Sequence, residues 1–348
     1  MSRRSRAQKQ RARQQPASAS TEPSESAVGP ALTKTQKRKL QKKRQQQQAS
    51  AQHNARAAKP RASPPSTSLG VVHEDEHVIA INKPAGLLCH PSPGFWNAGT
   101  VVHHLSTREQ TAGYSEIGPH MLEARLSHTG EDDSFIPRAI VHRLDRGTTG
   151  LMLVAKTELA ETQLTNQFKQ RSLSKRYVAL LCGRPRTAAA GTSASHGRVA
   201  AELGGAILRV DAPIDRDPSR PGKMVVNGSG KAARSVVHVH AVSSTGPREL
   251  TLVTVELLTG RQHQIRVHCA QVLGAPLAND DAYGGERTPG APKNRPLLHA
   301  WSMEVPHPAT GELLSMRAPL PDDMSALLRE HFPQLPGIDP ASWPERGV

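Results

Sequence analysis

Apolar and polar positions along residues 70–334 form short blocks that predict strands and helices. Strands are expected where apolar residues dominate or alternate and where glycine, proline or polar residues end the run. They fall at residues 71–83 (two strands with a polar turn between them), 139–141, 151–155, 175–182, 235–242 and 250–258. Helices are predicted at residues 100–105, at 158–171 and from Gly260 to about Leu273. Because these elements form no βαβ repeat, the pattern indicates the α+β fold class.

Two stretches of this body lack a regular pattern. Residues 106–138 are polar and irregular, which predicts a surface insertion. Residues 183–206 are rich in glycine, alanine and threonine, which predicts a loop. We expect one folded body over residues 70–334, followed by a short C-terminal tail at 335–348.

The first 69 residues differ in composition from the rest of the chain. They contain no Phe, Trp or Tyr, and they hold 16 Lys or Arg against 2 Asp or Glu, a net charge of +14. The other residues carry 29 basic and 28 acidic side chains, so nearly all of the net charge of +15 lies in this tail. Such a segment buries too little apolar surface to offset the entropy lost on ordering, and we expect it to be disordered.

Several interpretations of the basic tail stay open. It has the Arg/Ser-rich, acid-poor composition of an organelle transit peptide, and it also fits a simple solubilising extension. Its charge suits non-specific attraction to RNA phosphates. Basic runs of this kind are also typical of nuclear and nucleolar signals.

Composition excludes several other classes of protein. No apolar run approaches the ~18 residues of a membrane-spanning helix, and the first residues lack the apolar core of a secretory signal peptide. Cys89, Cys182 and Cys269 lie far apart and form no C-x-x-C motif, which argues against a disulfide framework and a thiolate zinc site. We expect an intracellular protein in a reducing compartment.

The segment His142–Gly150 joins two predicted strands and carries candidate chemistry. Asp145 lies beside Arg143, and Gly147 and Gly150 permit turns or close backbone approaches that other residues resist. A carboxylate on a rigid connection between strands is well placed to act on a bound substrate. The alternative is a structural turn in which Asp145 accepts backbone N–H groups.

A second polar cluster, Thr259–His268, opens the predicted helix after residue 260. It reads Thr-Gly-Arg-Gln-His-Gln-Ile-Arg-Val-His, which places two arginines and two histidines near a helix N-terminus and suits contact with an anion. An arginine of this cluster that faces Asp145 keeps that carboxylate ionised through a charge-assisted pair. The alternative is a solvated basic helix face.

These segments, together with others in the same order, resemble the RluA family of RNA pseudouridine synthases. His-Arg-Leu-Asp-Arg-Gly-Thr-Thr-Gly at residues 142–150 is similar to that family's H-R-L-D-x-x-T-S/T-G motif. The other matching segments are residues 81–86 with 90–91, 175–180, 259–268, 283–284 and 295–300 with 307–308. The resemblance runs from residue 71 to about residue 325, nearly the whole body.

The resemblance implies a pseudouridine synthase-like fold and activity. The expected fold is a mixed, largely antiparallel sheet with flanking helices and a central cleft. The expected reaction converts specific uridines of a structured RNA to pseudouridine. Asp145 matches the family's essential catalytic aspartate, and Arg266 matches the arginine that pairs with it. Tyr177 matches the tyrosine that stacks on the target uracil and is implicated in a proton transfer.

Two further residues are placed by the resemblance near the substrate. Arg143 resembles the residue that enters the space vacated by the flipped uridine, and Leu298 falls where the family has an apolar residue near the flipped base. Lys83, Tyr283 and His299 also match family segments, but we interpret them as structural.

No cofactor and no metal are expected. The reaction breaks the N1–C1′ bond, turns the uracil and makes a C5–C1′ bond, and a single carboxylate can serve it. A hydrolytic glycosidase usually has two cooperating carboxylates, and no second acid in the sequence shows comparable surroundings. The histidine pairs at 103–104 and at 238 and 240 have no further ligands beside them in sequence, so we expect a helix surface and a strand face.

RNA is the expected partner, either ribosomal or transfer RNA, and we expect a monomer that does not bind membranes. Residues 1–69 lack the apolar residues of the S4 RNA-binding domain that many members carry, and Thr149 stands where many relatives have Ser. Two other functions stay open: a catalytically weak RNA-binding or ribosome-assembly factor on the same fold, and a hydrolase that releases uracil. The compartment, an organelle or the nucleus or nucleolus, is undecided.

The charge distribution generates a first prediction. Deleting residues 1–69 is expected to flatten the salt dependence of RNA binding, because each phosphate neutralised by a basic residue releases counterions. Turnover on saturating RNA is expected to persist. The measurement is RNA affinity against salt concentration for the full and the truncated chains, and an unchanged slope would show that the tail is not an electrostatic arm.

Overall fold

A computed structural model describes residues 69–91, 99–107, 116–122, 124–126, 135–187, 197–202, 206–243, 249–293, 295–337 and 339–343. All of these belong to one compact unit, Ala62–Val348. The predicted basic tail before Leu69, much of the predicted insertion at 106–138 and residues 188–196 of the predicted loop lie outside the described residues.

The described residues form fourteen strands. In chain order they are β1 (Gly70–Glu74), β2 (Val78–Lys83), β3 (Ala124–Leu126), β4 (Phe135–Pro137), β5 (Thr149–Ala155), β6 (Ser174–Cys182), β7 (Arg198–Glu202), β8 (Ile207–Asp211), β9 (Ile214–Arg216), β10 (Met224–Val226), β11 (Arg234–Ser243), β12 (Leu250–Leu257), β13 (Leu298–Pro306) and β14 (Leu313–Arg317). Ten of them make one sheet in the order β1-β2-β5-β13-β6-β12-β11-β8-β7, with β14 beside β13. Two antiparallel ribbons, β3–β4 and β9–β10, lie outside it.

Within the described ranges the structure has five α-helices. They are α1 (Val101–Thr107), α2 (Pro119–Leu122), α3 (Glu158–Gln170), α4 (Gln264–Val267) and α5 (Asp322–His331), and α4 continues into a π-helical turn at His268–Val272. Helix α3 starts at an N-cap, Thr157, whose hydroxyl oxygen accepts the Ala160 N–H at 3.2 Å. Among the described residues no helix is long and apolar enough to cross a membrane.

The central strands are buried on both faces, and side chains alternate between two parts of the core. On β6, Val178 and Leu180 pack with the α5 residues Leu327 and Leu328. The intervening residue Ala179 belongs to the larger cluster on the opposite face. Because successive strand residues point to opposite faces, α5 covers one side of β6 and leaves the other side to the larger core and the cleft.

One parallel contact joins the two halves of the sheet. Every other pairing in the ten-stranded sheet is antiparallel, whereas β13 pairs with β5 in parallel, with His299 opposite Thr149 and Ala300 opposite Gly150. Gly150 has a φ of +108°, and a Cβ added to it would lie 2.2 Å from the carbonyl oxygen of Ala300. Only glycine therefore lets β5 approach β13 at this point.

The predicted α+β class and the mixed, largely antiparallel sheet are confirmed, and three local predictions are wrong. Residues 139–141 are not a strand but a turn after β4, and Ala139 and Ile140 are apolar because they are buried in the core. The predicted loop at 183–206 contains the edge strand β7, whose small, largely exposed side chains carry little hydrophobic signal. The helix expected from Gly260 begins only at Gln264.

The contact at Gly150 predicts a stability effect. We expect Gly150→Ala to lower the free energy of unfolding by roughly 3 kcal/mol or more, because the methyl group overlaps backbone atoms of β13 and the residue keeps a positive φ. Gly222 is a matched control, since its φ is +82° but no atom lies within 4 Å of an added Cβ. Gly222→Ala should cost only about 1–2 kcal/mol. Urea unfolding of both variants tests this, and equal losses would contradict it.

Candidate active site

A cleft of about 860 Å³ opens on the side of β6 that α5 does not cover, and it holds all five predicted site residues. Its walls come mainly from four parts of the chain: the loop before β5, the end of α3 with β6, the segment from the end of β12 into α4, and the start of β13. His90 and Ile136 also line it. The predicted site residues that line it are Arg143, Asp145, Tyr177, Arg266 and Leu298.

The backbone is anchored on both sides of Asp145. On one side, the Leu144 N–H donates to the sulfur of Cys89 at 3.2 Å, and the Cys89 thiol donates to the Leu144 carbonyl oxygen at 3.2 Å. On the other side, the Arg146 carbonyl oxygen accepts the Gly86 N–H at 2.8 Å and Lys83 Nζ at 3.3 Å. Hydrogen bonds from Lys83 and from the segment after β2 thus hold the loop immediately before and after Asp145.

Lys83 is a structural residue of this anchor, as its sequence context suggests. Its side chain is fully buried, and its ammonium also donates to the carbonyl oxygens of Pro84 at 2.9 Å and Leu87 at 2.8 Å. Burial lowers the pKa of Lys83 to about 8, although the neighbouring Cys89 and Asp145 act in the opposite direction. Three carbonyl partners satisfy all the donors of the charged amine.

Arg266 joins the predicted catalytic acid to a second carboxylate. Its Nη1 lies 3.1 Å from Asp145 Oδ2, while Nε and Nη2 each lie 2.7 Å from an oxygen of Asp280. Burial alone lowers the pKa of Arg266, but the hydrogen bonds and charges of Asp280 and Asp145 more than compensate and raise it. The bidentate pair with Asp280 fixes the guanidinium plane from which the third donor reaches Asp145.

Asp280 was missed by the sequence analysis, which found no second acid in comparable surroundings. Its side chain is only 1% exposed and lies behind Arg266, away from the residues that line the cleft. The available signal was an acidic pair, Asp280-Asp281, after the apolar residues 275–278: a buried arginine needs a counterion, and such a pair supplies one.

His263 and Tyr283 complete the surroundings of Asp145. His263 Nε2 is 3.8 Å from Asp145 Oδ2, and its Nδ1 lies 2.8 Å from the Tyr283 hydroxyl oxygen. That oxygen also accepts the Met224 N–H at 2.9 Å, and the Tyr283 ring packs against the Arg266 guanidinium at 4.9 Å. Burial lowers the pKa of His263, although Asp145 opposes the shift. Tyr283 thus helps to hold the side chains of Arg266 and His263 in place.

Tyr177 and Leu298 form the apolar part of the site. Tyr177 lies on β6 opposite Val255 on β12 and Ala300 on β13, and both it and Leu298 are more than nine-tenths buried. Burial raises the pKa of Tyr177, and the negative charge of Asp145 raises it further. The phenol is therefore neutral at ordinary pH, beside the carboxylate.

The second polar cluster is divided between the cleft and the protein interior. Helix α4 has only four residues, and Arg266 is engaged by two carboxylates. His268 is fully buried between Ser235 Oγ and the Ala212 carbonyl oxygen, at 3.0 Å from each, and burial lowers its pKa to about 4. Arg261 and His263 of the cluster line the cleft, whereas His268 does not.

Across the described ranges, no group of three or more His, Cys, Asp or Glu side chains has a geometry that could hold a metal ion.

The Arg266–Asp280 pair predicts a large difference between two neighbouring substitutions. Asp280→Asn removes the bidentate counterion of the buried Arg266 guanidinium, and we expect it to lower the free energy of unfolding by about 3–5 kcal/mol. Asp281→Asn makes the same change at an exposed position and is expected to change it by no more than about 0.5 kcal/mol. Urea unfolding measures both, and similar small losses would show that the pair is not a structural centre.

Comparisons with known proteins agree with this geometry. The family model described as RNA pseudouridylate synthase matches residues 77–271. A protein of Nitrosomonas europaea named ribosomal large subunit pseudouridine synthase D is 39% identical over 270 residues, covering 75% of this chain and 64% of that protein. The protein of the same name from Pseudomonas aeruginosa is 38% identical, with 75% and 71% covered.

A plant protein is also similar. The rice (Oryza sativa subsp. japonica) protein named RNA pseudouridine synthase 2, chloroplastic, is 31% identical, with 78% of this chain and 66% of that protein covered. The chain thus spans about two thirds of the length of the Nitrosomonas and rice relatives. The family model covers more than half of the chain and includes Asp145, Tyr177 and Arg266, and the chain belongs to the RNA pseudouridylate synthase family.

Proposed function

We propose that the protein isomerises a uridine of ribosomal RNA to pseudouridine, with Asp145 as the catalytic residue. The observation that carries this proposal is the Asp145 carboxylate, which lines the cleft with one oxygen held by Arg266 at 3.1 Å. Among the described residues its other oxygen, Oδ1, has no hydrogen-bond partner and is left for a substrate.

The shape of the cleft suits a base that has left its stack. Chemistry at the bond between uracil and ribose requires the nucleotide to be flipped out and held by aromatic or apolar side chains. Tyr177 and Leu298 provide such surfaces next to Asp145. Arg143 is exposed on the same loop and lines the cleft, where its charge can enter the space that the uridine leaves in the RNA.

The reaction needs one carboxylate and no net oxidation or hydrolysis. The N1–C1′ bond breaks, the uracil turns within the cleft, and a C5–C1′ bond forms. C5 then loses a proton and N1 gains one. Asp145 acts as nucleophile or base in these steps, and the neutral Tyr177 stacks on the uracil and takes part in a proton transfer. The walls retain the free base between the two bond changes.

The names of the relatives support the inferred class of RNA substrate. The Nitrosomonas and Pseudomonas proteins are named for the large ribosomal subunit, and we infer that this chain acts on RNA of that subunit. Transfer RNA is the other class left open by the sequence. We expect a monomeric enzyme, located in an organelle or in the nucleus or nucleolus, and the rice relative is named as chloroplastic.

The proposal is tested by mapping pseudouridine across total RNA from cells that lack the protein and are rescued with wild type, Asp145→Asn or Asp281→Asn. We expect specific sites in large-subunit ribosomal RNA to vanish and to return with wild type and with the exposed-site control Asp281→Asn. Asp145→Asn keeps the shape of the side chain and should restore none.

Other outcomes separate the alternatives. Rescue of a growth or assembly defect by Asp145→Asn, with no change at any RNA site, would identify an RNA-binding or assembly factor. Release of free uracil by purified protein would identify a hydrolase. Sites that vanish only from transfer RNA would keep the activity and correct the substrate.

A further inference from the structure

Lys175 lines the same cleft but takes no part in the contacts around Asp145. It precedes Tyr177 by two residues on β6, so both side chains project from the same face of the strand, about 7 Å apart along it. Asp145 influences the pKa of Tyr177, whereas its charge has no resolved effect on that of Lys175. Lys175 is therefore a neighbour of the uracil platform and not of the catalytic carboxylate.

The ammonium of Lys175 has no hydrogen bond or ion pair with any residue that the structure describes. It lies over the ring of Phe168, 5.3 Å from Nζ to the ring centre, and its charge helps to lower the pKa of the neighbouring His142. The two buried lysines elsewhere in the sheet are different: Lys83 donates to three carbonyl oxygens, and Lys156 binds Glu74 at 2.9 Å and the Asp75 carbonyl oxygen at 2.7 Å. Lys175 is partly desolvated like them but lacks their anchors.

Burial of the Lys175 ammonium is energetically unfavourable. Burial lowers the pKa of Lys175 to about 8, and no nearby anion opposes the shift. A desolvated charge without a partner is unfavourable unless a ligand supplies the partner. A phosphate oxygen is a suitable ligand, since a lysine ammonium acts as a compact point charge that binds phosphate.

Besides Lys175, other basic side chains line the cleft, and the acidic residues in its lining are Asp145 and Glu256. Lys169 and Arg171 line the same part of the cleft, and neither has a carboxylate partner among the described residues. Arg171 follows α3 with a φ of +59°, at a helix C-terminal position that usually carries glycine. On the other side, Gly260 lies close to the ammonium, since a Cβ added to it would lie 3.6 Å from Nζ.

We propose that Lys175 binds the phosphate at one linkage beside the target uridine and so sets the register of the RNA strand in the cleft. This inference rests on the proposed function, because it takes Tyr177 as the platform for the flipped uracil. The spacing of about 7 Å between Lys175 and Tyr177 along β6 fits an uracil on one and its flanking phosphate on the other. Lys175 is a binding residue and is not required for the bond changes.

The test uses the full chain and a short RNA stem–loop with a single uridine in its loop. Lys175→Met removes the charge and keeps the apolar stem, Lys175→Arg restores a charge, and Lys293→Met is a control at an exposed lysine outside the cleft. We expect Lys175→Met to weaken binding roughly tenfold or more and to reduce the slope of log affinity against log salt by about one. Lys175→Arg should recover the slope, and Lys293→Met should leave both unchanged.

Uncharged linkages locate the phosphate. A single methylphosphonate is placed in turn at each linkage near the loop uridine, with 2′-O-methyl sugars to keep the RNA stable. For wild type, one position beside the uridine should weaken binding as much as Lys175→Met does. With Lys175→Met the same linkage should cause no further loss. Equal sensitivity of both proteins at every linkage would overturn the proposal.

Thermal unfolding without RNA separates binding from a structural role. Removing an unpaired, desolvated charge should leave the unfolding midpoint unchanged or raise it. A lowered midpoint together with unchanged RNA affinity would show that Lys175 is structural and would overturn the proposal. Because these measurements need no turnover, they stand even if pseudouridine mapping refutes the proposed activity.

Discussion

The geometry of the cleft depends on one buried guanidinium shared by two carboxylates. Arg266 donates twice to Asp280 and once to Asp145, so three segments that are distant in sequence meet at a single charged group. A lone arginine at this depth would be strongly unfavourable, and a single carboxylate would leave its remaining donors to be satisfied elsewhere. The two hydrogen bonds to Asp280 fix the position of the Arg266 guanidinium, and its third hydrogen bond then fixes the position of Asp145 Oδ2.

The second constraint acts on the backbone and not on the charge. The loop that carries Asp145 is held by hydrogen bonds with Cys89 before this residue and with Gly86 and Lys83 after it. Its exit into β5 is fixed by the parallel contact with β13, which requires Gly150. Backbone anchors and the ion pair together leave the carboxylate little freedom, and such preorganisation is what the proposed reaction on a flipped base requires.

The sequence was sufficient to predict the fold class, most of the central strands and five of the residues that line the cleft. The order of the matching motifs identified Asp145, Arg143, Tyr177, Arg266 and Leu298, all of which line the cleft. Asp280 was not found, since its role depends on tertiary structure: the acidic pair Asp280-Asp281 marks candidates, but the sequence does not show which acid packs against Arg266. The same holds for β7, an edge strand with a weak apolar signal, and for residues 139–141, where burial in a turn resembles a strand.

The alternation along β6 explains how one strand serves both stability and binding. Val178 and Leu180 pack under α5, while Lys175 and Tyr177 face the cleft. The cleft face and the core face are therefore two sides of the same strand. Charges divide in a similar way: Arg266 beside the acid is neutralised by protein carboxylates, whereas Arg143 and Lys175 have none among the described residues. The ion pairs hold Arg266 and Asp145 in place, and under the proposed function the unpaired charges of Arg143 and Lys175 are available to RNA phosphates.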